Sequence, residues 1–191
     1  MFKLISSIAL WCFIHSFFFG VANSSPSLTT NFIGDKKLES VLASQVFIPT
    51  GKATFSILFW DLYKSQLKTT SGSYPISLDQ DRLIFHINYL VDISKEDLIK
   101  RTIEQWQHQR ISTNIYQHYI KLLKDIWPNI YKGDSLAMLM QKNKSVFYFN
   151  EHYIGEINDD VFGQLFINIW LDQSTSHPSL RDQLIGGNVD D

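Results

Sequence analysis

The stretch ATFSILFWDLY, residues 53–63, decides the fold class of this chain. It is rich in β-branched and aromatic residues, and both of its alternations are apolar. One alternation carries Phe55, Ile57, Phe59 and Tyr63, and the other carries Leu58, Trp60 and Leu62. A strand that is apolar on both sides is covered on both sides or faces a pocket. The sequence therefore predicts one strand over residues 53–63, buried or beside a cavity.

Three further strands are predicted after this stretch. Residues 82–90, RLIFHINYL, alternate more cleanly. One side carries Leu83, Phe85, Ile87 and Tyr89, and the other carries His86 and Asn88. Residues 135–140 and 145–150 have the composition of a hairpin around the turn sequence Lys142-Asn143-Lys144. Because hairpins join neighbouring strands, we expect a mainly antiparallel sheet.

Helices are indicated by caps and by apolar periodicity. Ser94 followed by Asp97 resembles a capping box, and it predicts a helix to about residue 109. A second helix is expected over about residues 113–127, where Pro128 ends it. A third helix follows Asn158-Asp159 and places Trp170 on a buried stripe, and a short fourth helix begins at Pro178 and stops at Gly186.

The order of these elements is strands, two helices, strands and two helices. This order favours an α+β fold, in which a large antiparallel sheet carries a helical layer on one face. The strand–helix alternation of a dinucleotide-binding fold is absent from the sequence.

The N-terminus predicts export. Lys3 precedes an uncharged apolar run over residues 4–19, and Ala22 satisfies the small-x-small rule for signal peptidase. An uncleaved membrane anchor is the alternative, although the run is shorter than the roughly 20 residues a span needs. The predicted division is a signal peptide (1–24), a polar lead-in (25–44) and one domain (45–187), with a periplasmic or secreted location and no stable membrane span after cleavage.

Composition excludes several classes of function. The chain has 191 residues, a formal net charge of −2 and a single cysteine, Cys12, inside the predicted signal. The overall charge balance gives no basic excess for nucleic acid or for an anionic membrane surface. The mature chain has no disulfide framework, and its histidines lack the helical spacing of metal ligands. Motifs for hydrolase elbows, zinc proteases and phosphate-binding loops are absent, so no catalytic residue, metal or cofactor is predicted.

Polar side chains on otherwise apolar strands are the more informative signal. These residues are Ser56, Asp61, His86 and Asn88. One interpretation is ordinary hydrogen-bonded polarity in the core. The other is an apolar cavity in which a few polar groups orient a ligand. The aromatic residues that such a cavity could use are Trp60, Tyr63, Tyr89, Trp106, Tyr119 and Trp170.

Four segments, in order along the chain, carry a resemblance to a known family. They are GKATFSILFWDLY (51–63), YLVDIS (89–94), YKGD (131–134), and a C-terminal pair made of IWLD (169–172) and S-x-P-x-L-R-x-x-L-I-G (176–186). With them the chain resembles the chalcone isomerase-like family, in its bacterial exported, periplasmic branch. The resemblance implies an open-faced β-sandwich with a ligand cleft between the sheet and the helices.

In that family, plant members close chalcones to flavanones, and relatives without this activity bind fatty acids in the same cleft. The plant enzymes have an arginine just before the glycine-led strand, and here residues 44–49, SQVFIP, contain none. Asp97-Leu98 and Glu104-Gln105 stand where the helical tyrosine and asparagine would be sought. The departures favour a non-catalytic binder of a fatty acid or similar apolar acid over an isomerase.

Two alternatives stay open: an intramolecular lyase acting on an unknown substrate, and a partner-binding periplasmic protein with a filled core. The expected ligand is a small apolar molecule rather than nucleic acid, and the oligomeric state is not predicted. The residues expected to touch its polar end are Ser56, Tyr63, His86 and Tyr89.

Overall fold

A six-stranded antiparallel sheet organises the part of the chain that this computed structural model describes, residues 37–186. The strands are β1 (Ile48–Ile57), β2 (Trp60–Thr69), β3 (Leu83–Tyr89), β4 (Ser135–Gln141), β5 (Lys144–Phe149) and β6 (His152–Ile157), and each pairs with the next. The helices of the same residues are α1 (Leu38–Ser44), α2 (Lys95–His108), α3 (Thr113–Ile126), α4 (Phe162–Leu171) and α5 (Pro178–Leu184). Helices α2 to α5 pack their apolar side chains on one face of the sheet. The predicted α+β fold is confirmed. The predicted signal peptide lies outside the described residues.

The prediction of one strand over residues 53–63 is wrong, because this stretch is a hairpin. Strand β1 ends at Ile57, and β2 begins at Trp60, directly opposite it. Leu58 and Phe59 form the connection, with Leu58 at a φ of 56°. Two-residue hairpin turns are usually recognised by Gly or Asn, and this one has neither. The apolar residues on both alternations therefore belong partly to an exposed turn rather than to a covered strand.

A glycine at the turn is expected to stabilise the protein. Left-handed backbone costs a residue with a side chain about 1–2 kcal/mol, which glycine avoids at some cost in unfolded-state entropy. Leu58→Gly should therefore raise the free energy of unfolding by up to about 1 kcal/mol. The matched control is Leu122→Gly, since Leu122 is also an exposed leucine but lies inside α3. There the change should cost about 1 kcal/mol. Urea denaturation of both variants checks the opposite signs, and a loss of stability in both would contradict the turn geometry.

Helix α1 covers part of the second face of the sheet. Leu38 and Val41 are buried there against Ile84, Leu139 and Tyr148. The sequence predicts a polar lead-in over this segment rather than a helix, and it does not predict the edge strand β6.

The helix caps are those that the sequence predicts, whereas the buried faces of some helices are not. The hydroxyl of Ser94 accepts the Asp97 backbone N–H at 3.1 Å, as the capping box predicts. A carboxylate oxygen of Asp159 accepts the N–H groups of Val161 and Phe162 at the start of α4. Trp170 is half-buried rather than buried. In α3 the buried residues are Tyr116, Tyr119 and Leu123, while Ile115 and Leu122 are exposed.

A glycine lets α5 close against the edge strand β1. A Cβ added at Gly51 would overlap the backbone carbonyl oxygens of Gln183 and Leu184. These atoms belong to backbone and cannot move aside as a flexible side chain would. Gly51 therefore sets how closely α5 approaches strand β1.

Candidate binding cavity

A cavity of about 450 Å³ lies between the sheet and helices α2 and α4. Its size falls in the range typical of small-molecule sites. The sheet contributes mainly apolar side chains, which include Phe55, Ile57, Leu62, Tyr63, Phe85, Ile87, Tyr89, Leu136, Met138 and Phe147. Helix α4 adds Phe166, Ile169 and Trp170. The cavity is therefore an apolar space with a limited number of polar groups on its wall.

The first of these polar groups is the hydroxyl of Tyr63. The indole N–H of Trp170 donates to this oxygen at 2.9 Å. No described residue accepts the hydroxyl's own proton, so this proton is available to a ligand. Burial raises the pKa of Tyr63 to about 12, although the bond from Trp170 opposes the shift. Tyr63 is thus a neutral donor whose acceptor side is already occupied.

Tyr89 lies beside Tyr63 on the neighbouring strand, with their ring centroids 6.0 Å apart. It is buried, and its hydroxyl has no hydrogen-bond partner among the described residues. Burial, and secondarily the proximity of Tyr63, raise its pKa. The two phenols together give the cavity a pair of donors that stay protonated at neutral pH.

The charged residues of the cavity wall come from α2 and from the loop before it. They are Asp92, Asp97, Arg101 and Glu104. The Arg101 side chain is 73% exposed and pairs with Glu104 at 2.8 Å. Asp92 accepts the backbone N–H of Lys132, and Asp97 accepts the hydroxyl proton of Ser94. Because the acids outnumber the exposed arginine, this side of the cavity is unfavourable for an anion.

Neutral polar groups complete the wall next to α5. Ser176 donates its hydroxyl proton to the side-chain oxygen of Gln105 at 2.6 Å, and Thr175 donates to the Ile169 carbonyl. The His177 ring packs edge-on against Phe55, with the ring centroids 4.6 Å apart. Burial, with a smaller effect from His108, lowers the pKa of His177. His177 is therefore uncharged at neutral pH.

Of the four residues predicted to touch the ligand, the structure brings Tyr63 and Tyr89 together at the cavity and places Ser56 and His86 elsewhere. Ser56 is exposed near the hairpin turn and donates to the Asp61 carboxylate at 2.6 Å. The imidazole of His86 lies 3.4 Å from the carboxylate of Glu151. Successive residues of a strand point to opposite faces, so His86 and Tyr89 cannot share a face.

Of the other aromatic residues that the sequence offers for a cavity, one lines it and three lie elsewhere. Trp170 lines the cavity, whereas the indole N–H of Trp106 donates to the Leu165 carbonyl inside the core. Tyr119 donates to Asp159, away from the cavity. Trp60 is exposed beside the turn.

The sequence did not predict that Arg101, Gln105 and His177 line a cavity. The first two had a detectable signal, because residues four apart on a helix share a face, and Asp97, Arg101 and Gln105 form such a row. His177 had no such signal, since it lies in the loop that follows α4.

Within residues 37–186, no cluster of His, Cys, Asp and Glu is suited to hold a metal ion. No helix of this segment has the length and apolar character needed to cross a membrane.

Comparison with known proteins agrees with this geometry. The family model described as chalcone isomerase-like matches residues 51–186, well over half of the chain. The chain therefore belongs to the chalcone isomerase-like family.

A similar solved structure is the crystal structure of a fatty-acid-binding protein from Arabidopsis thaliana. The TM-score is 0.54 at 7% sequence identity, and the match covers 73% of this chain and 87% of that one. This likeness shows a shared fold. Among curated protein sequences, none matches this chain.

Proposed function

We propose that this protein binds a fatty acid or a similar apolar acid in the cavity and does not catalyse a reaction on it. The observation that carries the proposal is the apolar cavity with the free hydroxyl proton of Tyr63 on its wall. An apolar chain gains free energy by leaving water for such a space, at about 25 cal/mol per Å² of buried surface. The fold shared with a plant fatty-acid-binding protein is consistent with this ligand class.

The charges of the wall determine how the ligand lies. A carboxylate near Asp92, Asp97 and Glu104 would meet more negative than positive charge. At Tyr63 it meets a neutral donor instead, with Tyr89 alongside. We therefore place the ligand's polar end at the two tyrosines and its hydrocarbon chain among the apolar side chains of the sheet and α4.

The absence of a buried cation from the part of the cavity wall formed by residues 37–186 supports binding over isomerisation. Ring closure by a phenolate needs the developing negative charge to be stabilised in a site shielded from water. Within the described residues, Arg101 is the only lysine or arginine on the cavity wall. It is largely exposed and paired with Glu104, so water and that carboxylate weaken its field.

The test is titration of delipidated protein with a panel of fatty acids by calorimetry, and a parallel incubation with chalcone. We expect saturable binding of fatty acids, and flavanone formation at the spontaneous rate only. Flavanone formation well above that rate would overturn the non-catalytic assignment. Lack of binding across the panel would favour the partner-binding alternative.

The pH dependence of binding provides a separate prediction. As the pH rises from about 5 to about 7, the ligand's carboxyl loses its proton and has to enter the apolar cavity as an anion, so affinity should fall. From about pH 7 to about pH 9 affinity should stay level, because Tyr63 keeps its proton up to a pKa of about 12. His86→Gln should leave this profile unchanged, since His86 lies outside the cavity. Titrations of both proteins across this range check the prediction, and a profile that depends on His86 would contradict it.

Export to the periplasm or beyond is part of the proposal. It rests on Lys3, the apolar run over residues 4–19 and Ala22. N-terminal sequencing of the protein purified from its own host should find a mature start near residues 23–25. An intact Met1 or a membrane-bound product would contradict export with cleavage.

A further inference from the structure

Four consecutive apolar side chains are exposed where β1 turns into β2. They are Ile57, Leu58, Phe59 and Trp60, with 52%, 86%, 98% and 73% of their surfaces accessible, and we call them the hairpin tip. Single exposed apolar residues are common in soluble proteins, but a contiguous cluster of large ones marks an interaction site. The hairpin tip is therefore a candidate contact surface outside the cavity.

The backbone of the tip gives a second, independent observation. Leu58 has a φ of 56°, a conformation in which turns of this kind normally use Gly or Asn. A bulky residue held there lowers the stability of the fold, and such costs concentrate at functional positions. The chain thus keeps a leucine at the tip where a glycine would fold better.

The stem of the same hairpin is cationic on the face that points away from the cavity. Lys64 and Lys68 alternate with the cavity-facing residues of β2, and Lys52 on β1 pairs opposite Gln66 on that outer face. These three lysines form no ion pair with a described residue. Within the two strands of the hairpin, residues 48–69, the one acid is Asp61, which is hydrogen-bonded to Ser56, so the hairpin carries three lysines against one carboxylate. The net charge of the whole chain conceals this local excess of positive charge.

We propose that the hairpin tip docks the protein on a lipid bilayer that contains anionic lipids. Trp and Phe side chains favour the boundary between head groups and acyl chains, where an inserted surface lies about 5–10 Å deep. Lys64 is four residues from Trp60, about 13 Å along an extended strand, so its long side chain reaches the head-group layer when the tip is inserted. The lysines then meet anionic head groups.

The composition and position of the tip favour a membrane over a second protein. A tryptophan and a phenylalanine at the end of a hairpin, with lysines along its stem, match the boundary of an anionic bilayer. Ile57 belongs to the tip and also lines the cavity. Leu62, two residues beyond the tip, lines the cavity as well. A docked protein would therefore hold this side of the cavity next to the bilayer. The hairpin tip is separate from the ligand's polar end, so docking does not depend on which ligand the cavity holds.

Flotation with lipid vesicles tests the proposal. Vesicles of phosphatidylcholine alone are compared with vesicles that also contain phosphatidylglycerol. The tip variant is Leu58→Gly with Phe59→Ser, because Gly followed by Ser suits this turn and preserves folding. Its control is Ile115→Ser with Leu122→Ser, which removes two exposed apolar residues from α3. The charge variant is Lys52→Gln with Lys64→Gln, and its control is Lys121→Gln with Lys124→Gln.

We expect the wild-type protein to bind the anionic vesicles, with a blue shift of Trp60 fluorescence, and to bind neutral vesicles more weakly. The tip variant should lose at least about tenfold in vesicle affinity, since two large side chains no longer leave water. The charge variant should lose affinity for anionic vesicles only, and both controls should bind like the wild type. Fatty-acid titration without vesicles should be unchanged in the tip variant, because Leu58 and Phe59 do not line the cavity.

Several results would overturn the proposal. One is the absence of wild-type binding to anionic vesicles at low salt, and another is wild-type affinity in the tip variant. Concentration-dependent self-association that the tip variant abolishes would assign the tip to a second copy of the chain instead. Loss of fatty-acid binding in every protein, with vesicle binding intact, would contradict the proposed ligand and leave the docking surface standing.

Discussion

Replacing Trp106 with alanine is expected to lower the free energy of unfolding by about 3–5 kcal/mol, the range for deleting a large buried aromatic side chain. Trp106 is fully buried in α2, stacks on Tyr116 with ring centroids 5.1 Å apart, and donates its indole N–H to the Leu165 carbonyl. The substitution leaves a void between α2, α3 and α4 and removes the bond to Leu165. Urea denaturation followed by circular dichroism measures the loss.

Trp60→Ala is the matched control for this prediction, because it deletes the same side chain at an exposed position. Exposed substitutions away from special features usually change stability by less than about 0.5 kcal/mol. A similar loss in both variants would show that the helical layer is not packed through Trp106.

Tyr63→Phe should reduce fatty-acid affinity by roughly ten- to a hundredfold. The change removes the hydroxyl whose proton is free to reach the ligand. A hydrogen bond to a charged group contributes about 1.5–3 kcal/mol, and every 1.4 kcal/mol is a factor of ten in affinity. Calorimetric titration of delipidated protein gives the affinity, and denaturation of the same sample shows the cost of leaving the Trp170 indole N–H without its acceptor.

The control is Tyr116→Phe. Tyr116 is buried and its hydroxyl lies 3.3 Å from that of Thr113, away from the cavity. This variant should keep wild-type affinity. Equal affinities in all three proteins would place the ligand's polar end somewhere other than Tyr63.

The fold class could be predicted because its signals are local. Ser94 and Asp159 cap their helices as the sequence indicates, and the alternation in β3 gives its buried face directly. The hairpin tip could not be predicted, because Leu58 occupies a position at which turn rules look for Gly or Asn. Helix α1 was missed because its two buried residues, Leu38 and Val41, depend on a sheet face that is assembled from distant strands.

The cavity was only partly predictable for a similar reason. The sequence identifies Tyr63 and Tyr89 as polar groups on apolar strands. Because side chains alternate between the two faces of a sheet, the spacing of His86 and Tyr89 already places them on opposite faces. Which residues of α2 face the cavity depends on how that helix lies on the sheet. The hydrogen bond from Trp170 to Tyr63 joins residues more than a hundred positions apart, so it cannot be predicted from the spacing of residues in the sequence.

The most direct measurement of cavity binding is a ¹⁵N–¹H spectrum of the tryptophan indole groups during titration with a fatty acid. If the ligand's polar end binds Tyr63, the indole signal of Trp170 shifts strongly, because its N–H donates to that hydroxyl. The signal of Trp106, whose N–H is held by Leu165 in the core, and that of exposed Trp60 stay in place when no vesicles are present. The Trp170 shift should be lost in Tyr63→Phe. Saturation with fatty acid while the Trp170 signal stays unmoved would contradict the placement of the ligand in this cavity.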